Sequence, residues 1–151
     1  MRILLLSTSY NMLTQLIHAH LREGGFDVSV TLSLSDEHLR NAVKTFQPDI
    51  IICPFLKERI PDDVFSRIPC AIIHPGIVGD RGPSSLDWAI LEEQKEWGVT
   101  AIAAMEKFDE GAIWATQTFP MRKAAKASIY RHEVAAAALL LVDEVIARFT
   151  N

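Results

Sequence analysis

Short apolar runs alternate along this chain with longer segments in which apolar residues recur every three or four positions. The short runs are typical of buried strands, and the longer segments are typical of helices that bury one face. Their alternation predicts an α/β fold in which helices flank a mainly parallel central sheet. The predicted strands are residues 2–7, 26–32, 50–53, 70–73, 99–105 and 112–118.

The helices are predicted from the same periodicity and from residues that favour helix ends. The first should end at Gly24 and Gly25, and Ser35 should cap the second. Their buried faces are predicted to be Leu13, Leu16, Ile17 and Leu21 in the first, and Leu39, Ala42, Val43 and Phe46 in the second. A short helix around 61–67, a helix over 85–93 with a capping box at Ser84 and Asp87, and a long helix over 127–149 complete the pattern.

Composition narrows the class of protein. The 151 residues, of which 49% are hydrophobic and 23% charged, predict one domain over 1–151. No apolar run approaches the ~18 residues of a membrane span. Cys53 and Cys70 show no C-x-x-C spacing, so we expect neither a disulfide framework nor a metal site, and we expect a cytoplasmic protein. The net charge of -4 without a basic stripe argues against nucleic acid as a partner.

The ends of two strands exclude two further classes. Ser-Thr-Ser-Tyr-Asn follows the first strand where a dinucleotide-binding fold has G-x-G-x-x-G, so a nicotinamide cofactor is not expected. The third strand should end at Pro54, because proline cannot donate to a strand ladder. A phosphorylated receiver would carry an acidic pair after the first strand and an aspartate after the third, and this chain has neither.

His74 is the main candidate for chemistry. It follows the predicted fourth strand, and ligands of open α/β sheets bind at the carboxyl ends of strands. Pro75 fixes the backbone after it, and Gly76 leaves room for another group to approach. The alternative is a turn or packing histidine. Asp109, in a later loop, is either a turn residue or a carboxylate that keeps the His74 ring protonated and oriented.

A second candidate is the glycine-rich loop that contains Arg81. Together with the free N–H groups of the following helix, the Arg81 guanidinium could hold an anionic group. The alternative is an ordinary loop. Met105, Phe108 and Trp114 are interpreted as core or as the wall of a pocket.

Several motifs occur in the order and spacing of a known family. They are Ile73-His74-Pro75, Arg81-Gly82, the run 86–90, Gly98-Val99-Thr100 and Asp109-Glu110-Gly111. Together they resemble the formyltransferase family typified by methionyl-tRNA and glycinamide ribonucleotide formyltransferases. The run 74–90 is similar in particular to the N-terminal domain of the HypX family of hydrogenase maturation factors. Residues 54–57 and 119–131 extend the likeness over nearly the whole chain.

The resemblance implies a three-layer, Rossmann-like formyltransferase fold and 10-formyltetrahydrofolate as the formyl donor, without a metal or NAD. In the wider family an asparagine, a histidine two residues later and a downstream aspartate carry the reaction. The histidine corresponds to His74 and the aspartate to Asp109. Ile72 stands at the asparagine position and cannot donate a hydrogen bond, and losing one oxyanion donor typically costs ~10²–10³ in rate.

The same comparison implies where the ligands bind. The pterin ring should lie in an apolar pocket lined by Phe55, Leu56, Ile60, Ala104, Met105 and Phe108. The residues implied on the substrate side are Ile72, Arg81, Thr100 and Arg131. The two arginines would hold acidic or phosphate groups of the donor or the acceptor.

Members of the HypX family are longer and carry a crotonase-like coenzyme A domain. They are thought to pass the formyl group to coenzyme A and then to carbon monoxide for nickel-iron hydrogenase. The resemblance therefore implies formyl transfer with coenzyme A as the suspected acceptor, in a chain that is either an isolated domain or a stand-alone relative. The alternative, which Ile72 favours, is a folate-binding module with little or no transferase activity.

Overall fold

The computed structural model describes residues 1–80, 84–104 and 111–151. In this part of the chain the strands are β1 (Arg2–Ser7), β2 (Asp27–Leu32), β3 (Ile50–Phe55), β4 (Cys70–His74), β5 (Glu96–Ala103) and β6 (Ile113–Pro120). They form one sheet in the order β2-β1-β3-β4-β5-β6. The strands β1 to β4 run parallel, whereas β5 pairs antiparallel with both β4 and β6.

The described helices are α1 (Met12–Glu23), α2 (Asp36–Phe46), α3 (Asp62–Phe65), α4 (Ser85–Leu91), α5 (Lys126–Ile129) and α6 (Ala135–Thr150). A π-helical segment, Tyr130–Val134, joins α5 to α6. The long helix predicted over 127–149 is therefore helical throughout but contains a π-helical turn. None of the helices in the described residues combines the length and the hydropathy needed to span a bilayer.

Alternate residues of the parallel strands are buried on opposite faces of the sheet, as expected when helices cover both faces. Ile3 and Leu5 of β1 lie in a buried cluster with the apolar faces of α1 and α6. Leu4 and Leu6 lie in a second cluster with Leu39 of α2 and with α3. This arrangement confirms the predicted three-layer α/β fold.

Two predicted details near the first strands are wrong. Leu16 is 38% exposed, so the buried face of α1 is formed without it. Pro54 does not end β3, which continues to Phe55. The register between β3 and β1 shifts there, and a bulge leaves a residue outside the ladder, where the missing proline N–H is not needed.

The helix α4 also differs from its prediction. The capping box does not form, because Ser84 has a left-handed φ of 64° and its side chain makes no cap hydrogen bond. The helix ends at Leu91 rather than at 93. Glu93 has a φ of 52°, and the Gln94 N–H donates to the Ala89 carbonyl at 3.0 Å, which closes the helix in a Schellman-type turn.

Candidate active site

His74 is the last residue of β4, one residue further along the strand than predicted. It pairs with Thr100 of β5 and is 4% exposed. Because β1, β3 and β4 are parallel, their carboxyl ends meet at one edge of the sheet, where His74 lies. The prediction of a histidine at a strand's carboxyl end is therefore confirmed, although the residue still belongs to the strand.

The chain turns immediately after His74, and β5 holds this turn in place. The indole N–H of Trp97 donates to the Pro75 carbonyl at 3.1 Å, and the Thr100 hydroxyl donates to the Gly76 carbonyl at 2.8 Å. The Gly76 N–H donates to the His74 carbonyl at 2.9 Å. Since Trp97 and Thr100 are both buried, these bonds are shielded from water and fix the backbone that carries the histidine.

The His74 ring contacts a carboxylate that the sequence reasoning missed. Nε2 of His74 lies 2.8 Å from Oδ2 of Asp80, and the two side chains are 5% and 22% exposed. Gly76 allows this contact, since a Cβ there would lie 2.5 Å from Asp80 Oδ2 and 2.6 Å from His74 Nε2. Gly79 has a φ of 91°, a left-handed value that glycine adopts freely. The glycines at 76 and 79 were the sequence signal that the chain could fold back on the ring.

The carboxylate predicted to face His74, Asp109, lies outside the described residues, as do Arg81, Met105 and Phe108. Their predicted roles stay predictions. Thr100 is described and is 1% exposed. Its hydroxyl is bonded to the turn, which gives it a structural task beside the substrate-side role that the resemblance implies.

The other residues predicted for the pterin pocket lie near one apolar cluster. Ile60 and Ile72 are buried members of it, and Leu56 and Ala104 pack against it while remaining partly exposed. Phe55 is also partly buried, with the Lys57 ammonium 5.4 Å from its ring centroid. Three residues predicted for the pterin pocket, Leu56, Ile60 and Ala104, are thus brought together on one cluster with Ile72, which was predicted on the substrate side. Its partly exposed members offer the apolar contact that a flat heteroaromatic ring requires.

The end of β3 and the loop that follows it are hydrogen-bonded to Thr8, the residue after β1. The Thr8 N–H donates to the Phe55 carbonyl at 2.7 Å, and the Thr8 hydroxyl donates to Glu58 at 2.6 Å. Burial opposes ionisation of Glu58, but hydrogen bonds from Thr8, Ser33 and the local backbone outweigh it and lower the pKa of this carboxyl. The carboxylate form therefore stabilises the loop.

Arg131 is on a different element from the histidine turn. It is exposed in the π-helical segment, next to Tyr130, whose pKa is raised by burial although a hydrogen bond with Asn11 opposes the shift. Asn11 is the N-cap of α1, and its side chain accepts from the Thr14 N–H. The contact joins the start of α1 to the π-helical segment, in which Arg131 is exposed.

The profile of the formyl transferase family matches residues 11–145. The hydrogenase maturation factor HoxX of Bradyrhizobium diazoefficiens is 52% identical over 147 residues, which are 97% of this chain and 26% of the relative. The crystal structure of HypX from Aquifex aeolicus in complex with tetrahydrofolic acid superposes with a TM-score of 0.96 at 46% identity, over 99% of this chain and 27% of that one. The chain thus spans about a quarter of the length of these relatives.

A methionyl-tRNA formyltransferase of Campylobacter lari is 33% identical over 82 residues, which are 54% of this chain and 27% of the relative. The resemblance inferred from the motifs around His74 is confirmed by these matches.

Proposed function

Because the chain belongs to the formyl transferase family, we propose that it transfers a formyl group from 10-formyltetrahydrofolate and that His74 is its catalytic residue. The observation that carries the proposal is the burial of His74 at the carboxyl edge of the sheet. The turn after it is held by hydrogen bonds that Trp97 and Thr100 donate to the carbonyls of the turn. Such rigid placement is what catalytic groups require, since small displacements cost rate. The complex of HypX with tetrahydrofolic acid supports a folate as the donor.

The apolar cluster around Ile60 and Ile72 fits the pterin of that donor. Leu56 and Ala104 would contact the ring from two sides, together with Phe55 and with Met105 and Phe108, as the family comparison implies. Arg81 and Arg131 would bind acidic or phosphate groups. The donor brings an activated formyl group, and the protein residues orient it and stabilise the charge that develops.

In the proposed reaction the nucleophile forms a bond to the formyl carbon, and the electrons of the C=O bond move onto oxygen. Protonated His74 donates a hydrogen bond to that oxygen, which lowers the energy of the transition state. The C=O bond then re-forms as the bond from carbon to N10 breaks, and the proton lost by the nucleophile passes to N10. Asp109 is proposed to keep His74 charged and to position the water that relays this proton.

The acceptor follows from the HypX and HoxX likeness. We propose coenzyme A, with the formyl group passing on toward carbon monoxide for nickel-iron hydrogenase maturation. The support is the identity to HoxX, which is a hydrogenase maturation factor, over nearly the whole chain.

A second candidate function is a folate-binding module with little transfer activity. Ile72 favours it, because an apolar side chain that is 7% exposed stands where the family has an amide donor. The loss of one such donor typically costs ~10²–10³ in rate. Binding of tetrahydrofolate by calorimetry without formyl release would select this second function.

The test compares release of tetrahydrofolate from 10-formyltetrahydrofolate by the wild type and by His74→Ala, with coenzyme A supplied as acceptor. Loss of the hydrogen-bond donor to the developing oxyanion should lower kcat by about 10²–10³-fold. His38→Ala is the matched control, since His38 is exposed on α2, and it should keep the wild-type rate. Equal rates for the wild type and His74→Ala would remove His74 from the mechanism.

A further inference from the structure

The geometry points to Asp80 as a positioning residue that orients His74 and keeps a proton on its Nε2 atom. For its kinetic part this inference rests on the proposed formyl transfer. Asp80 is separate from Asp109, the carboxylate that the family comparison implies. The structural part concerns the ring itself and can be measured without any reaction.

The first step is the hydrogen bond between the two side chains. Nε2 of His74 is 2.8 Å from Oδ2 of Asp80. A carboxylate only accepts hydrogen bonds, so Nε2 must carry the proton that it donates. A neutral imidazole has one N–H, and this contact therefore selects the Nε2–H tautomer. When the ring becomes charged, the additional proton is on Nδ1, so a charged His74 can donate a hydrogen bond from Nδ1 while Nε2 stays bonded to Asp80.

The second step is the construction of the loop. The Asp80 N–H donates to the Ile77 carbonyl at 3.0 Å, and Gly79 supplies the left-handed residue of the reversal. Gly76 leaves the space into which both partners reach. The groups from β5 that hold the turn, Trp97 and Thr100, are uncharged, so they fix the backbone without competing for the ring proton.

The third step is the burial of the His74–Asp80 pair, which can be compared with a second histidine–aspartate pair in this chain. His20 on α1 and Asp143 on α6 also form a short contact, 2.7 Å, but their side chains are 33% and 53% exposed. A pair in that position is hydrated and is a weak restraint on the ring. The pair at the active site is 5% and 22% exposed, so its hydrogen bond competes with little water.

The tautomer is tested by long-range ¹⁵N NMR of the histidine rings in the wild type, Asp80→Ala and Asp80→Asn. Neutral His74 should be the Nε2–H form in the wild type, and the share of that form should be lower in Asp80→Ala. Asp80→Asn should retain the Nε2–H form, because its amide oxygen still accepts from the ring. Asp143→Ala is the control and should change the signals of His20 while leaving those of His74 unchanged.

Formyl transfer supplies the second measurement. Asp80→Ala should lower kcat by about 10²-fold, the low end for loss of an oxyanion donor, with KM for 10-formyltetrahydrofolate nearly unchanged. Asp80→Asn should recover part of the rate, and Asp143→Ala should keep all of it. A structural role alone would reduce the folded fraction and leave the ratio of the tautomers intact.

An Nδ1–H ring in the wild type, or a tautomer ratio that is the same in Asp80→Ala, would overturn the inference. A higher KM with unchanged kcat would also overturn it. If Asp80→Ala does not fold, the ¹⁵N signals of His74 in the wild type and in Asp80→Asn still show whether the ring is the Nε2–H tautomer. If the wild type transfers no formyl group, the proposed function fails, whereas the NMR measurement still tests the orientation of His74.

Discussion

Replacing Gly76 with alanine would put a methyl group into the contact between His74 and Asp80. The new Cβ would lie 2.5 Å from Asp80 Oδ2, 2.6 Å from His74 Nε2 and 2.9 Å from His74 Cδ2. Gly76 does not have a left-handed φ, so the backbone itself tolerates alanine. The effect of the substitution is therefore steric and falls on the two polar side chains.

The size of the effect follows from these distances. Non-bonded heavy atoms are comfortable at about 3.5 Å, so the side chains must move by roughly 1 Å. The hydrogen bond of 2.8 Å would then become a separation at which no hydrogen bond remains. Overpacking of this kind costs about 1–3 kcal/mol of stability. A shift of about 1 Å in a catalytic group costs about 10²-fold in rate.

The assay measures kcat/KM for formyl transfer and the urea midpoint of unfolding for the wild type and Gly76→Ala. Gly24→Ala is the matched control: its φ is -73°, and the nearest atoms to a new Cβ lie 3.4 Å away, so both quantities should stay near wild type. Wild-type stability and activity in Gly76→Ala would refute the packing of the His74 and Asp80 pair around this glycine. Lost stability with full activity would show that the clash is relieved away from the ring.

Three further predictions concern the surroundings of the site. Thr100→Val removes the donor to the Gly76 carbonyl and should lower the free energy of unfolding, measured in urea, by about 1–3 kcal/mol. Thr116→Val is the control: it loses only hydrogen bonds of 3.3 Å, so its free energy of unfolding should fall by less. Glu58 has a lowered pKa, so its contribution to stability is present above its ordinary value of 4.5 and is lost as the pH falls through the folded-state pKa. The urea midpoint of the wild type should thus fall more steeply in acid than that of Glu58→Gln, and parallel curves would contradict this. Burial raises the pKa of Cys70 to about 12 and that of Cys53 well above 9.0, so mass spectrometry should find both thiols unalkylated until the protein unfolds.

The fold could be predicted where burial alone decides the structure. The bounds of β1, Arg2–Ser7, and the start of α2 at Asp36 are as predicted, because a short apolar run and a serine cap are local signals. The errors lie where distant residues decide. Pro54 remains in β3 because the pairing with β1 shifts register there, and no property of the run Ile-Ile-Ile-Cys-Pro indicates that shift.

Of the site, the sequence predicted only the residues that the order of the strands brings to the carboxyl edge of the sheet. His74 was identified because any residue at the end of a parallel strand lies at that edge. The partner Asp80 was missed, since its approach depends on the path of a short loop and on two hydrogen bonds donated from β5. The pairing of His74 with Asp109 stays a prediction.

The predicted correspondence of Ile72 with the family's asparagine implies that this site differs from the family arrangement. Its side chain is in the same apolar cluster as Ile60, against which Leu56 and Ala104 pack. An amide at this position would lose its hydration in an apolar environment, at a cost of about 1–3 kcal/mol unless a ligand accepted its hydrogen bond. The chain thus has a buried apolar side chain at the position predicted to correspond to the family's donor. In the proposed reaction, stabilisation of the formyl oxygen then depends more heavily on His74, whose orientation is fixed by Gly76, by the bonds from β5 and by Asp80.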